Sequence, residues 1–342
     1  MRERWLRPWL ACLGLLAAAA CAAPAAPTSV PRATAQSSQA PRTAIAPAAA
    51  PAVGSRVWVN VAVATLWTSP SAPRRVDAKA VSAPVDIRGW LAAMSTATRK
   101  GLVGRVETQA LYGDKLIVTA VRSSWLHVVA PGQPTHRDKR GYPGWLPARQ
   151  VTTVAPLSAT STATVVRPTS WLRTAAGTRV TEISFGTRLP VVSRSSSLVT
   201  VATPAHRRLV VAAADVVVRT TGAAALARTR SSVLASARQF LGRPYLWGGR
   251  SGFAVDCSGL TSLVYAVHGV VIPRDTDDQA LAGRSASLRS LLAADLVFFR
   301  SNNAIVHVGF FVSPGRMLDA PHTGAFARIE SIGSPALARR FL

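Results

Sequence analysis

Cysteine is nearly absent from this chain: 342 residues hold three, Cys12, Cys21 and Cys257. No CxxC or HExxH pattern occurs, and the six histidines (127, 136, 206, 268, 307, 322) are scattered, so metal chemistry is disfavoured and no metal is expected. Acidic residues are also scarce, 15 against 40 Lys and Arg, for a net charge of +25. The excess is uneven. Residues 1–224 carry 27 basic and 8 acidic groups, residues 225–342 only 13 and 7. No nucleic-acid-reading motif accompanies the charge, so nucleic acid is not expected as a partner. Anionic wall polymers or lipid headgroups fit it better, and solubility alone is the alternative. The apolar stretch Trp9–Ala20 is too short for a comfortable membrane span.

That stretch follows Arg2, Arg4 and Arg7 and ends in small residues before Cys21, the pattern of an export signal. Processing there leaves no cysteine pair for a structural disulfide. A lone thiol in an exported protein calls for a functional explanation, which directs attention to Cys257. Residues 22–52, almost all Ala, Pro, Ser, Thr and Gln, cannot bury enough apolar surface to fold and read as a disordered tether.

Beyond the tether, short β-type runs separated by turns (Val57–Val63, Leu116–Val121, Trp125–Val129) predict a small barrel over 53–151, with a helical insertion at Val85–Val103. Residues 152–222 repeat the all-β character more weakly, in Thr164–Val166, Arg188–Val192, Leu198–Val201 and Leu209–Val211. No fixed short repeat appears. From 223 the pattern changes to a helix over Ala225–Leu241, a Gly-rich turn, a second helix after Asp256, and strands near 295–300, 305–312, 316–319 and 326–331.

Cys257 sits at the start of that second helix, in Asp256-Cys257-Ser258-Gly259, and His307 on an apolar strand fifty residues later. A thiol attacks a carbonyl as thiolate, which a helix N-terminus and a neighbouring imidazole both stabilise. The competing reading is a small buried hydrophobe and a satisfied core histidine. A nucleophile helix packed on an antiparallel sheet that carries the base is the papain-like α+β arrangement. His268, at the end of the Cys257 helix, reads as a C-terminal cation.

Six motifs in order, Arg243-Pro244-Tyr245-Leu246-Trp247-Gly248-Gly249, Asp256-Cys257-Ser258-Gly259, Ile272-Pro273-Arg274, Gln279, Asp295-Leu296-Val297-Phe298-Phe299 and His307-Val308-Gly309, resemble the NlpC-type papain-like cysteine peptidases of bacterial cell walls. Upstream, Val63–Pro70, Arg105–Gly113 and Gly141–Trp145 resemble the bacterial SH3-like domains of the subgroup that cleaves γ-D-glutamyl–diamino acid bonds in peptides with a free N-terminal L-alanine. Leu16–Cys21 resembles a lipobox, with Ala18 in place of the usual leucine, which implies lipidation of Cys21 or, failing that, plain secretion.

The resemblance implies a multidomain chain: two SH3-like barrels followed by a papain-like α+β catalytic domain. It implies Cys257 as nucleophile, His307 as base, and Asp319 as the third member with His322 competing. Tyr245 would serve the oxyanion, and Glu107, Tyr142 and Asp256 would hold the substrate's ammonium. Ser258 and Thr276, where the family usually has Ser, would line the pocket, and Arg274 is read as a loop brace. The expected substrate is a peptidoglycan stem peptide, acted on without a cofactor. The alternatives are an endopeptidase on intact wall, another acyl-transfer activity on the same scaffold, and a non-catalytic wall-binding lipoprotein.

Overall fold

The computed structural model describes residues 51–342. The expected export signal, Cys21 and nearly all of the tether lie outside the described residues. Seven strands form the first sheet: β1 (Arg56–Val59), β2 (Val63–Trp67), β3 (Val106–Leu111), β4 (Lys115–Arg122), β5 (Trp125–Ala130), β6 (Tyr142–Pro147) and β7 (Val151–Thr152). Seven more form the second: β8 (Ser161–Val165), β9 (Thr169–Arg173), β10 (Arg179–Ser184), β11 (Arg188–Arg194), β12 (Leu198–Ala202), β13 (Arg208–Ala212) and β14 (Val216–Thr220). The spatial orders are β3-β2-β6-β5-β4-β1-β7 and β10-β9-β13-β12-β11-β8-β14, the same topology displaced by seven strands. Sequence periodicity did not expose this duplication, because what repeats is the path of the chain and not its residues.

Between β2 and β3 the expected helical insertion is longer than Val85–Val103. It comprises α1 (Ala78–Val81), α2 (Ile87–Ala93) and α3 (Thr96–Lys100), preceded by a 3-10 turn at Arg75–Asp77. Its hub is buried Asp77, which accepts hydrogen bonds from Trp90 Nε1 at 2.8 Å and Arg74 Nε at 2.8 Å. A buried carboxylate needs such donors, and a hydropathy pattern does not show them. The strands β9, β10 and β14 were also unforeseen. The first two, TSWLR and RVTEIS, put polar or basic residues where an apolar run was sought, while the apolar start of the third, VVVRT, was passed over.

The remaining chain supplies α4 (Arg230–Arg238), the small pair β15 (Arg250–Ser251) and β16 (Ala254–Val255), α5 (Cys257–Val267) and α6 (Thr276–Leu281). A six-stranded sheet follows, built from β17 (Arg284–Ala286), β18 (Leu296–Ser301), β19 (Ala304–Ser313), β20 (Arg316–Asp319), β21 (Arg328–Ser331) and β22 (Leu337–Arg340). α5 is apolar and buried along nearly its whole length, as a helix sandwiched between layers must be. His268 is not the exposed cation expected at its end. It is buried, its Nδ1 donates to Ala227 O at 2.6 Å, and Ser236 Oγ lies 3.0 Å from Nε2. Burial holds its pKa below the ordinary value, which favours the neutral imidazole.

One apolar core runs through all three sheets, joining Val63, Trp67 and Leu111 to Phe185 and to Leu246, Leu260 and Leu263. Close backbone approaches lock the junctions. Gly252 N donates to Ser184 Oγ at 2.8 Å, and a Cβ at Gly252 would lie 1.6 Å from Pro168 O. Gly252→Ala is therefore expected to force the second sheet off the catalytic layer, lowering stability by about 1–3 kcal/mol; an unchanged thermal unfolding curve would contradict this contact.

Candidate active site

Cys257 is the first residue of α5, where unsatisfied backbone N–H groups create a positive end. Asp256 is the N-cap. Its Oδ1 accepts from Gly259 N at 2.6 Å and from Arg274 Nη1 at 3.1 Å, while Oδ2 accepts from Gly248 N and Arg274 Nη2, each at 2.8 Å. The carboxylate is thus already engaged on both oxygens, and as an amine ligand it would have to share them. Arg274 is only 1% exposed and also donates to Ser258 Oγ (2.9 Å) and to Thr108 Oγ1 of β3 (2.8 Å). It is a brace, as the sequence suggested, but one that spans two layers.

His307 lies on β19, and Asp319 ends the neighbouring β20. The register pairs Phe310 with Leu318, which sets Asp319 opposite Gly309 and diagonal to His307 on the same face. Gly309 matters here: a Cβ on it would stand 3.0 Å from Asp319 Cβ. Asp319 Oδ2 lies 2.6 Å from His307 Nε2, which leaves the other imidazole nitrogen for the thiol. Burial would push the His307 pKa down, but hydrogen bonds to Asp319 and Cys257 and their charges outweigh it and raise the pKa to about 10. His322 is exposed, with Nδ1 on Thr323 O at 3.1 Å, away from this pair.

A cavity of about 610 Å³ opens in front of Cys257. Thr276 Oγ1 is 3.5 Å from the sulfur, and Ser258 lines the wall beside it. Tyr245 is buried and faces the same space; burial, followed by the charges of Cys257 and Asp256, raises its pKa and keeps the hydroxyl a donor. Glu107 and Tyr142 reach the cavity from the first sheet. That sheet is fastened over the site by Trp247 Nε1, which donates to Val106 O at 3.1 Å, and by Gly248, where a Cβ would meet Val106 Cγ1 at 2.4 Å.

Glu107 and Tyr142 are not vacant, however. Arg137, on the β5–β6 loop, chelates Glu107 through both guanidinium Nη atoms, the longer contact at 2.9 Å, and donates to Tyr142 Oη at 3.2 Å. The Tyr142 hydroxyl in turn donates to Asp275 Oδ2 at 2.8 Å. Sequence reading missed Arg137 and Asp275. Asp275 stood beside the quoted Pro273-Arg274 motif, but nothing in the pattern distinguished it from Asp277 and Asp278. The carboxylates of those three residues approach within 4.8 Å of one another, with Tyr142 and His136 hydrogen-bonded to the first and last.

A thiol at a helix N-terminus, an imidazole oriented by a buried carboxylate and a phenol donor lining the same cavity define a cysteine hydrolase of the papain-like kind. Residues 242–342 match the NlpC/P60 family, and residues 165–218 match the YKFC SH3b2 domain. The chain belongs to the NlpC/P60 family of cysteine peptidases. It is 37% identical over 279 residues to a gamma-D-glutamyl-L-lysine dipeptidyl-peptidase of Bacillus subtilis, covering 79% of this chain and 92% of that one. A protein of the same name from Bacillus cereus is 31% identical, covering 84% and 91%. The crystal structure of an NlpC/P60 family protein from Bacillus cereus superposes with a TM-score of 0.80 at 30% identity, over 84% of this chain and all of that one.

The raised His307 pKa has a sign. Its imidazolium persists until pH rises through about 10, and the stability the pair contributes is complete below the ordinary histidine value and lost across that window. Asp319→Asn is expected to move the basic limb of the pH–rate profile downward and to cut kcat/KM roughly 10–100-fold; a profile identical to wild type would remove Asp319 from the triad.

Proposed function

We propose that the protein hydrolyses the γ-D-glutamyl–diamino acid bond of peptidoglycan stem peptides whose N-terminal L-alanine is free. The observation that carries this reading is the acidic end of the cavity, where Glu107, Tyr142 and Asp275 converge from two layers of the fold around a cation. Carboxylates and an acceptor hydroxyl grouped in a partly desolvated corner suit an ammonium, and an acetylated or glycan-linked alanine would leave them unpaired at a cost of about 1–3 kcal/mol. The names of the two Bacillus relatives support the same bond.

In the proposed reaction the Cys257 thiolate adds to the γ-carbonyl carbon. Tyr245 Oη and the Cys257 backbone N–H stabilise the oxyanion. His307, protonated and held by Asp319, gives its proton to the departing amine. Water, deprotonated by His307, then resolves the thioester and releases L-Ala-γ-D-Glu. Ser258 and Thr276 flank the scissile bond, and no cofactor takes part.

Because Arg137 occupies the corner, the substrate's ammonium must displace it, and the two compete for Glu107. Both seven-stranded sheets are read as SH3-like barrels, over 53–151 and 152–222, with the catalytic domain at 223–342. The first barrel shapes the substrate site and the second braces it. Export through the 1–21 signal, lipidation at Cys21 and a 22–52 tether would hold the enzyme outside the membrane beside its substrate, and the basic surface would favour anionic wall polymers.

Mass spectrometry of products from a free L-Ala-γ-D-Glu-diamino acid peptide and from the same peptide on glycan tests the reading. Release of L-Ala-γ-D-Glu from the free peptide alone, abolished by Cys257→Ala, is expected. Cleavage of both substrates would make the protein a wall endopeptidase, and cleavage of neither a binding lipoprotein. Arg137→Ala is expected to lower KM for the free peptide about tenfold with kcat little changed, since it removes the competing cation; a raised KM would show Arg137 to be a substrate ligand instead.

A further inference from the structure

Arg250, on the far side of α5 from the thiol, is buried, 6% exposed. Its backbone N–H donates to Gln109 Oε1 at 3.0 Å, but its guanidinium makes no hydrogen bond or ion pair with any described residue, and Nε is enclosed without a partner. A guanidinium carries five N–H donors and a permanent charge; here Nε is enclosed without an acceptor, and the attraction of Asp114 reaches the charge without a hydrogen bond. Arg274, equally buried, shows the usual solution: a bidentate carboxylate and two hydroxyls.

Arg250 lines a cavity of about 390 Å³ where the two seven-stranded sheets meet α5, a size within the range of small-ligand sites. The cationic wall continues in Lys115 and Arg188, the latter anchored by donation from Nη2 to Ala266 O at 2.5 Å. Asp114 is the one acid among the lining residues. Its carboxylate accepts from Leu111 N at 2.8 Å and forms no ion pair with Arg250. The wall therefore keeps an excess of positive charge, and a neutral water could accept hydrogen bonds there without balancing it.

We propose that this junction cavity is a binding site for a small oxyanion, a carboxylate or a phosphate group, with the Arg250 guanidinium as its bidentate partner. The site is separate from the catalytic cavity: the two share no lining residue. An anion held there would tie Arg250, which follows the Gly248-Gly249 turn, to Arg188 of the second sheet and Lys115 of the first. Occupancy would thereby brace the layers that carry α5.

The test is thermal unfolding and titration calorimetry of the protein in potassium phosphate, potassium acetate and potassium chloride at equal ionic strength. Phosphate or acetate at a hundredfold excess over its Kd is expected to raise Tm by roughly 3–5 °C relative to chloride. A response to phosphate alone would identify a phosphate site, and a response to both a general oxyanion site. Arg250→Met is expected to abolish the response. Arg250→Lys should retain a weakened response, and Arg137→Ala the full one. Indistinguishable behaviour in all three salts, or an undiminished response in Arg250→Met, would overturn the proposal.

Discussion

The rest of this structure depends on the buried ion pair between Arg274 and Asp256. Asp256 caps the helix whose first residue is Cys257, so its position sets the direction of the thiol. Arg274 fixes that carboxylate in two places and reaches through to Thr108 of the first sheet, whose hydroxyl donates to Gln133 Oε1 at 2.6 Å. Arg274 N donates to Pro134 O at 2.9 Å, on the same loop that carries Arg137. One side chain thus ties the nucleophile, the strand bearing Glu107 and the loop over the cavity into a single network. Such a pair contributes little net stability over an apolar substitute, but removing one partner strands a buried charge. Its value lies in geometry.

On the other side of the cavity the same principle operates with a different chemistry. His307 and Asp319 sit on paired strands, and the bare Cα of Gly309 lets the carboxylate approach the imidazole. Asp319 Oδ1 is buried without a partner, so the full interaction of this carboxylate is directed at His307. The charge developed there favours imidazolium, the form that protonates a leaving amine. The opposite end of the cavity is equally charged but self-neutralised, since Arg137 pairs with Glu107.

The chemistry was more legible than the architecture. Cys257 and His307 were read from a helix-start and a strand pattern, which are local, whereas Asp319, with His322 as its rival, was read only through the family resemblance; the structure brings Asp319 to within 2.6 Å of His307 Nε2. Glu107 and Tyr142 were read only through resemblance: that they line the same cavity as Cys257, more than a hundred residues away, is nothing that periodicity encodes. Arg137, Asp275 and Arg250 were invisible for a related reason. In a chain with 40 basic residues, nothing in the sequence separates an arginine that plugs a site from one on a solvated face. That the chain is mostly β-sheet with some helices followed from its β-runs and their turns, but the polar strands β9 and β10, the hub at Asp77 and the shared strand order emerged only in three dimensions. His268 was misread because helix position suggested a cation while tertiary packing buried it.

The central claim is that the first sheet completes the active site by reading a free amine through Glu107. A double-mutant cycle measures this directly: kcat/KM for free and N-acetylated forms of the same γ-D-glutamyl peptide, each with the wild-type protein and with Glu107→Gln. The account predicts a penalty for acetylation in the wild type that shrinks about tenfold or more in the variant, the mark of coupling between that carboxylate and the ammonium. An acetylation penalty of equal size in both proteins would contradict it, and would place amine recognition elsewhere in the cavity.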